Sequence, residues 1–336
     1  MEENGEFASL NMKNFWLHKT VLITGYEGFL GSNLTKRLLD LNASIIGLDI
    51  KVNRRQTILG APDYRKIKVI RGSVADFGLL ERIFRQNDIG IVFHLAAEAI
   101  VGKCNNNPLV TFNTNIKGTW NVLEACRGSR NKIRSIVTAS SDKAYGACDI
   151  LPYKENCALA GNHPYDASKS CSDLISQTYA HTYGLPVNVT RCGNIYGPGD
   201  FNFSRIIPDA LRSLGKNKEF LIRSDGNFVR DYIYIEDVVN GYVLLAEKSK
   251  LLGLSGEAFN FSTNHPVTVI ELLNKINKIC LKNGRLKYRI LNQARYEIKK
   301  QYLSSEKARK VLGWHPEYSL EEGLHKTADW YLRKSH

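Results

Sequence analysis

A chain of 336 residues, 43% hydrophobic and 24% charged, excludes a disordered protein and suits one large domain with a smaller lobe, or two domains. Its formal charge, 46 basic against 33 acidic residues for a net +13, favours polyanionic partners: nucleotides, nucleic acid or an anionic membrane. Seven scattered cysteines with no Cys-x-x-Cys pair argue against a disulfide framework or a zinc site, and no apolar run could span a bilayer, so a soluble protein of the reducing cytoplasm is expected.

In chain order, residues 1–15 read as a polar leader. Short β-branched runs then predict buried strands at 19–25, 43–50, 66–72, 90–97, 133–141 and 186–194. Amphipathic stretches at 29–40, 77–87, 108–127 and 164–183 predict helices between them. Such alternation implies crossovers and therefore an α/β fold with a doubly wound parallel sheet. The rhythm changes after residue 195, where "YGPGDFNFSR" opens a stretch of mixed short elements, and "RDYIYIEDVVNGYVLLAEK" predicts a strand and helix that rejoin the first unit. The expected division is a nucleotide-binding domain over 16–194 with 228–250 rejoining it, and a smaller lobe over 195–227 and 251–334. Much of the positive charge lies late, in "KNGRLKYRI" and "KKQYLSSEKARK", and reads as a solvated basic face. No nucleic-acid-binding pattern accompanies it, so nucleic acid is the lesser partner.

The stretch "TGYEGFLGSNL" sets Gly25, Gly28 and Gly31 after the first strand and across the start of the first helix. Glycines there permit the tight turn and let backbone approach a pyrophosphate, which the helix N-terminus around Phe29 and Leu30 meets with amide donors. Asp49, 24 residues past Gly25 at the end of the second strand, is placed to accept from adenosine ribose hydroxyls. That carboxylate favours NAD over NADP, although Arg54 and Arg55 could serve a 2′-phosphate.

Further on, "HPYDASKSCSDL" carries Tyr165 and Lys169 at i and i+4, on one helix face. An ammonium beside a phenol is expected to lower the phenol's pKa and make it a usable base. Lys169 would also hold a ribose hydroxyl. Ser141 ends a strand 24 residues earlier, and is followed directly by Asp142 and Lys143.

Taken together, "TGYEGFLG", Asp49, "FHLAAE", "NTNIKGTWNVLEACR", Ser141, Tyr165/Lys169, "RCGNIYGPGD" and "RDYIYIEDV" resemble the extended short-chain dehydrogenase/reductase superfamily that acts on nucleotide sugars, from about residue 16 to the end. The resemblance implies a Rossmann domain, a small C-terminal lobe for a nucleotide-diphosphate hexose, and a homodimer built on the helices near 108–127 and 164–183. It implies that Tyr165 takes the proton from the sugar C4 hydroxyl, that Ser141 shares that hydrogen bond, and that hydride passes to NAD. The Ser-Asp-Lys order departs from the Asp-Glu pair of dTDP-glucose-type 4,6-dehydratases and is similar to the CDP-glucose 4,6-dehydratases. On that resemblance Asp142 is the acid at C6 and Lys143 the base at C5. A lysine base must be neutral, so burial or cationic neighbours would have to lower its pKa. In the reverse reading Lys143 only holds Asp142 ionised or touches the substrate. A 4-epimerase, which would need Tyr165 and Ser141 alone, is the alternative, and a non-catalytic nucleotide or nucleic-acid binder is the third reading.

Other positions follow from the same frame. Backbone at Leu95, Ala96 and Ala97 would pass the cofactor, and Ser73 with the Val74 backbone would meet the adenine. Glu98 either reaches the sugar or caps a loop, and Asn115 resembles the superfamily's structural asparagine. Asn194 could bind a sugar or phosphate oxygen. Arg205 and Arg230 are candidates for the diphosphate or the nucleoside ribose, since a guanidinium fork matches phosphate oxygens. His94 and His163 read as structural, and no metal site is expected.

Overall fold

The structure, a computed structural model, describes residues 15–52, 56–129, 132–148, 150–280, 284–294 and 298–333. The polar leader up to residue 14, and Arg54 and Arg55, lie outside the described residues.

The strands are β1 Thr20–Thr24, β2 Ser44–Asp49, β3 Ile67–Arg71, β4 Ile91–His94, β5 Ser135–Ala139, β6 Val187–Cys192, β7 Asn194–Tyr196, β8 Phe220–Ile222, β9 Val229–Arg230, β10 Tyr232–Tyr234, β11 Ala258–Phe261, β12 Val267–Thr268, β13 Tyr288–Ile290 and β14 Lys300–Gln301. The helices are α1 Phe29–Asp40, α2 Ala61–Tyr64, α3 Phe77–Gln86, α4 Val101–Asn106, α5 Pro108–Phe112, α6 Gly118–Gly128, α7 Pro164–Tyr183, α8 Ile206–Gly215, α9 Ile235–Lys248, α10 Val269–Ile279 and α11 Leu320–Arg333.

Seven strands form one sheet in the order β11-β6-β5-β4-β1-β2-β3, every pair parallel. The order runs outward from β1 in both directions, so the chain reverses beside β1 and opens a crevice at the C-terminal strand ends. Along β1, Val21 and Ile23 enter one buried cluster and Leu22 the other, as a pleated strand with helices on both faces requires. The first cluster takes in Leu34 and Leu38 of α1 and Val238 and Tyr242 of α9, then continues into Leu272 and Ile276 of α10 and Trp314. The second takes in Leu80 and Ile83 of α3 and Val122 and Leu123 of α6.

Two expectations need correction. The smaller lobe does not hold all of 251–334: Ala258–Phe261 pair in parallel with Val189–Cys192 as the sheet's edge strand. Its "AFNF" is too short to show a period, and it follows a loop rather than an amphipathic helix. The helix expected over 108–127 is interrupted by a π-helical turn at Asn113–Lys117 between α5 and α6. There the extra residue turns Asn115 into the interior, where it is buried.

Helix α7 is polar for a buried element. Ser168, Ser170, Ser172 and Ser176 all face inward, and their hydroxyls donate to carbonyls three or four residues back. It ends at Gly184, whose φ of 67° places it in the left-handed region that suits glycine. Beyond the large sheet, β10 pairs with β7, β9 lies between β12 and β14, and β13 pairs with β8.

Candidate active site

The glycine loop is shaped by contact. At Gly25, φ is 73° and a Cβ would lie 2.9 Å from Ala96 N and Cα; at Gly31 it would lie 2.1 Å from Gly25 O. The first turn of α1 therefore sits against the loop and the loop against the end of β4, as a pyrophosphate cradle needs. Thr24 ties the same corner, its hydroxyl accepting from Leu95 N and Ala96 N, both at 3.2 Å. His94 bridges Thr24 Oγ1 at 2.8 Å and Thr119 Oγ1 at 3.0 Å, and burial pushes its imidazole down to about 3, so it is a neutral structural link. Asp49 is buried at the end of β2 and accepts from Lys51 N at 3.1 Å. Ser73 caps its own turn through Ala75 N, and the Val74 carbonyl is taken by Asn121 Nδ2 at 3.0 Å. The close-packed loop and the buried carboxylate at the end of β2 fit a dinucleotide.

At the end of β5 the chain passes through Ser140 and Ser141 into a single 3₁₀ turn, Asp142–Tyr145. Ser141 Oγ caps that turn by accepting from Lys143 N at 3.2 Å, and donates to Asp142 Oδ1 at 3.0 Å. Asp142 is 4% exposed. Tyr165 and Lys169 project from α7 onto the same place. Lys169 Nζ lies 6.0 Å from the Tyr165 ring centre and donates to Ala139 O at 2.7 Å.

The electrostatics differ from the sequence expectation at Tyr165. Burial pushes its phenol up to about 12; Arg205 and a hydrogen bond with Ser141 pull it back, while Asp142 and Asp166 push it further up. Lys169 Nζ lies over the same ring; burial brings its ammonium down to about 8, and one of its protons is on a main-chain carbonyl.

Lys143 is held by a residue from far along the chain. Its Nζ donates to the side-chain oxygen of Gln301, a fully buried residue of β14, and Gln301 Nε2 donates to Asp142 O at 3.1 Å. The charge of Lys143 also lowers the buried Asp166, whose carboxyl burial otherwise raises.

The remaining expected site residues divide. Arg205 Nη1 pairs with the buried Asp200 carboxylate at 2.9 Å and its guanidinium lies 5.8 Å from the Phe29 ring centre, so it sits between the glycine loop and Tyr165. Arg230 instead spends its guanidinium on main chain, donating to Val229 O, Lys299 O and Ile298 O at 2.8, 3.2 and 2.7 Å. Asn194 is half-buried on β7, with Nδ2 on Asp231 O at 3.3 Å. The Glu98 backbone is clamped at both ends by Asn115, whose amide also donates to Ser168 Oγ on α7. Among the described residues no group of three or more His, Cys, Asp or Glu could hold a metal ion, and no helix is long and apolar enough to cross a membrane.

Sequence reasoning missed Gln301, Asp166 and a buried pair beneath the site. Arg191 of β6 grips Asp173 of α7 through Nε and Nη2 at 2.7 and 2.9 Å, and its Nη1 donates to Tyr145 OH at 2.8 Å. Asp173 lies one turn beyond Lys169, so a signal was present in the i, i+4 spacing, but its partner is on another element.

A dinucleotide cradle at one end of the crevice, with a Ser-Tyr-Lys set at the strand ends beside it, defines a Rossmann-fold enzyme of the nucleotide-sugar epimerase and dehydratase class. More narrowly, the chain belongs to the GDP-mannose 4,6 dehydratase family, whose model matches residues 22–327. It is 29% identical over 336 residues to CDP-glucose 4,6-dehydratase of Salmonella typhimurium, covering 95% of this chain and 92% of that protein. Among solved structures it is similar to dTDP-glucose 4,6-dehydratase from Bacillus anthracis in complex with NAD, with TM-score 0.81, 26% identity and 94% and 97% of the two chains covered. It is also similar to UDP-glucose 4-epimerase from Thermotoga maritima with UDP-glucose, with TM-score 0.83, 27% identity and 94% and 100% covered.

Proposed function

We propose that the protein is an NAD-dependent nucleotide-sugar 4,6-dehydratase, converting an NDP-hexose to an NDP-4-keto-6-deoxyhexose, with a CDP-glucose-like substrate preferred. The observation that carries this is Asp142-Lys143, an acid and an amine on one turn directly after Ser141 and beside Tyr165. A 4-epimerase has use for the serine, tyrosine and lysine but none for that pair. The preference for cytidine rests on the Salmonella relative.

The chemistry that a bound nicotinamide supplies is acceptance of a hydride and its later return. The chain's residues do the rest. Tyr165 receives the C4 hydroxyl proton while Ser141 Oγ holds the same oxygen, and Arg205 provides the positive charge that offsets the phenol's burial. With C4 a ketone, the C5 proton is acidic. Asp142 and Lys143 then act as the two opposed proton carriers: one takes the proton from C5, the other gives one to the C6 hydroxyl as it leaves as water. Asp142 is buried on this turn and Lys143 half-buried, which strengthens their charge interactions relative to bulk water. Arg205, Asn194 and Glu98 line the approach for the diphosphate and sugar. Arg230 acts at one remove, by fixing strand 298–301.

We further propose a homodimer through α5, α6 and α7. Leu109, Val110, Phe112 and Trp120 are exposed on the first two with their connecting turn, Leu174 on the third, and Leu109 is 72% exposed. Leu109→Glu should give a monomer by sedimentation; an unchanged mass removes this interface.

The decisive assay uses CDP-, UDP-, GDP- and dTDP-glucose in deuterated water, followed by mass spectrometry. Loss of one water with deuterium retained at C5 is the expected result, and it names the nucleotide. Asp142→Asn should stop water loss while C4 oxidation, read as absorbance of the reduced nicotinamide, survives. An isomer of unchanged composition would make the protein an epimerase.

A further inference from the structure

The glycine loop contains an acid. Glu27 stands between Gly25 and Gly28, where a carboxylate turned toward the cradle would repel a pyrophosphate. It is instead 1% exposed and turned inward, and its Oε1 accepts from Tyr26 OH at 2.8 Å and from Tyr64 OH at 2.9 Å. Tyr26 fixes the first side. Its ring lies on β2 at Gly47, where a Cβ would come within 2.6 Å of the ring, two residues before Asp49. Burial, the bond to Glu27 and the charges of Glu27 and Asp49 push its phenol above the usual range, so it stays a donor. Tyr64 belongs to the segment 57–66, which leads from the end of β2 through α2 to β3. The hydrogen bonds of this segment close within it, as from Leu59 N to Thr57 Oγ1 at 3.3 Å and from Gly60 N to Asp63 Oδ2 at 2.8 Å. Among the described residues, Tyr64 alone carries one outward. The segment's apolar anchors are Leu59, in the first buried cluster, and Ile58, whose Cγ2 would lie 2.4 Å from a Cβ at Gly199 in the loop after β7.

We propose that Glu27 is a positioning residue for the dinucleotide: its carboxylate fastens the 57–66 segment to the glycine loop, so that the side wall of the adenosine pocket is formed before the cofactor arrives and stays shut once it is bound. The inference rests on the reading of the glycine loop as an NAD cradle, and it holds for a dehydratase and an epimerase alike. The reason is placement. In a doubly wound sheet the cofactor lies outside the C-terminal strand ends with its adenosine ribose at the end of β2, so the chain leaving β2 walls it. Here that chain has two apolar anchors and the Tyr64 hydroxyl on Glu27 to hold it. Without the hydrogen bond, cofactor binding must order the wall itself, and the apparent affinity falls with the fraction of molecules in which the wall is formed. Glu27 joins the two parts because one oxygen accepts from both phenols, Tyr26 on the loop and Tyr64 on α2.

The test reads the rate at which NAD bound to the purified holoenzyme exchanges for isotopically labelled NAD. Tyr64→Phe deletes one hydroxyl and Glu27→Ala deletes its acceptor. Each should speed exchange about tenfold, the size expected for losing one hydrogen bond to a charged group. Because both remove the same contact, the double variant should exchange no faster than the faster single one, a coupling that two separate structural defects would not produce. Glu27→Gln keeps an acceptor oxygen and should return exchange to within about threefold of the wild type. Unchanged exchange in Tyr64→Phe, effects that multiply in the double variant, or Glu27→Gln as fast as Glu27→Ala overturns the inference. If Glu27→Ala does not fold, Tyr64→Phe decides alone, since it removes a single oxygen. A wild type that carries no NAD and takes up none defeats the cofactor reading together with the inference, and is recognised before any variant is made.

Discussion

Replacing Lys169 with Met should make the protein more stable and less active. Lys169 is 6% exposed, and burial lowers its ammonium from 10.5 to about 8. At about 1.36 kcal/mol per tenfold change in proton affinity, the folded state gives up about 3 kcal/mol to keep Lys169 charged at pH 7. Methionine fills similar space without charge. It leaves Ala139 O without its 2.7 Å donor, which costs about 1 kcal/mol or slightly more. The variant should therefore be about 2 kcal/mol more stable at pH 7.

The pH dependence gives the reasoning its sharper edge. Below pH 8 the lysine holds its proton both folded and unfolded, so the wild type carries the whole penalty there. Between about 8 and 10.5 the unfolded chain holds more protons than the folded one, so wild-type stability rises with pH relative to the variant. The advantage of Lys169→Met should shrink through that window and be gone by its upper end. Urea unfolding followed by far-ultraviolet circular dichroism at pH 7 and pH 10 measures both values. A variant less stable than wild type at pH 7, or a gap that ignores pH, would refute the account of Lys169 as a charge held at a cost. Activity should fall because the ammonium that would hold the ribose is gone.

Arg205 and Asp173 carry the other two tests. Arg205→Gln removes the largest influence lowering the Tyr165 phenol, so C4 oxidation, followed as reduced nicotinamide, should need a higher pH, and a profile unmoved or moved downward counts against Arg205. Asp173→Asn strands the buried Arg191 guanidinium and should cost about 3–5 kcal/mol by calorimetry. Replacing both partners with apolar residues should recover much of that loss, since a buried ion pair is worth little against good packing; no recovery would assign the cost to another contact.

The fold was legible where local patterns carry it. Six parallel strands and the helices α1, α3 and α7 follow from these patterns, but β3, expected to be buried, is an edge strand with Lys68, Val69 and Arg71 exposed, because only β2 covers it. Strand β11 was not, since four residues ending a loop carry no period, and its place at the sheet edge is decided by pairing with β6. The same division runs through the site. Gly25, Gly28, Gly31, Asp49, Ser141, Tyr165 and Lys169 sit in motifs whose spacing is chemistry. Their protonation states are set by burial, which no motif records, and this is why the phenol of Tyr165 lies high where the Tyr-Lys spacing suggests a low value.

Gln301 marks the limit most clearly. It is 158 positions from Lys143, within a basic stretch that reads as solvated surface, and by composition an exposed glutamine is the ordinary expectation. What buries it is a relay through Arg230: a guanidinium expected at the substrate instead holds the 298–299 carbonyls, and this brings β14 against the turn after β5. Arg230 thus reaches the chemistry through the strand it fixes. Through Gln301 this distant strand meets the turn that carries Asp142 and Lys143. Substitutions in 298–301 should for that reason alter water loss before they alter oxidation at C4, although none of those residues belongs to the serine, tyrosine and lysine set.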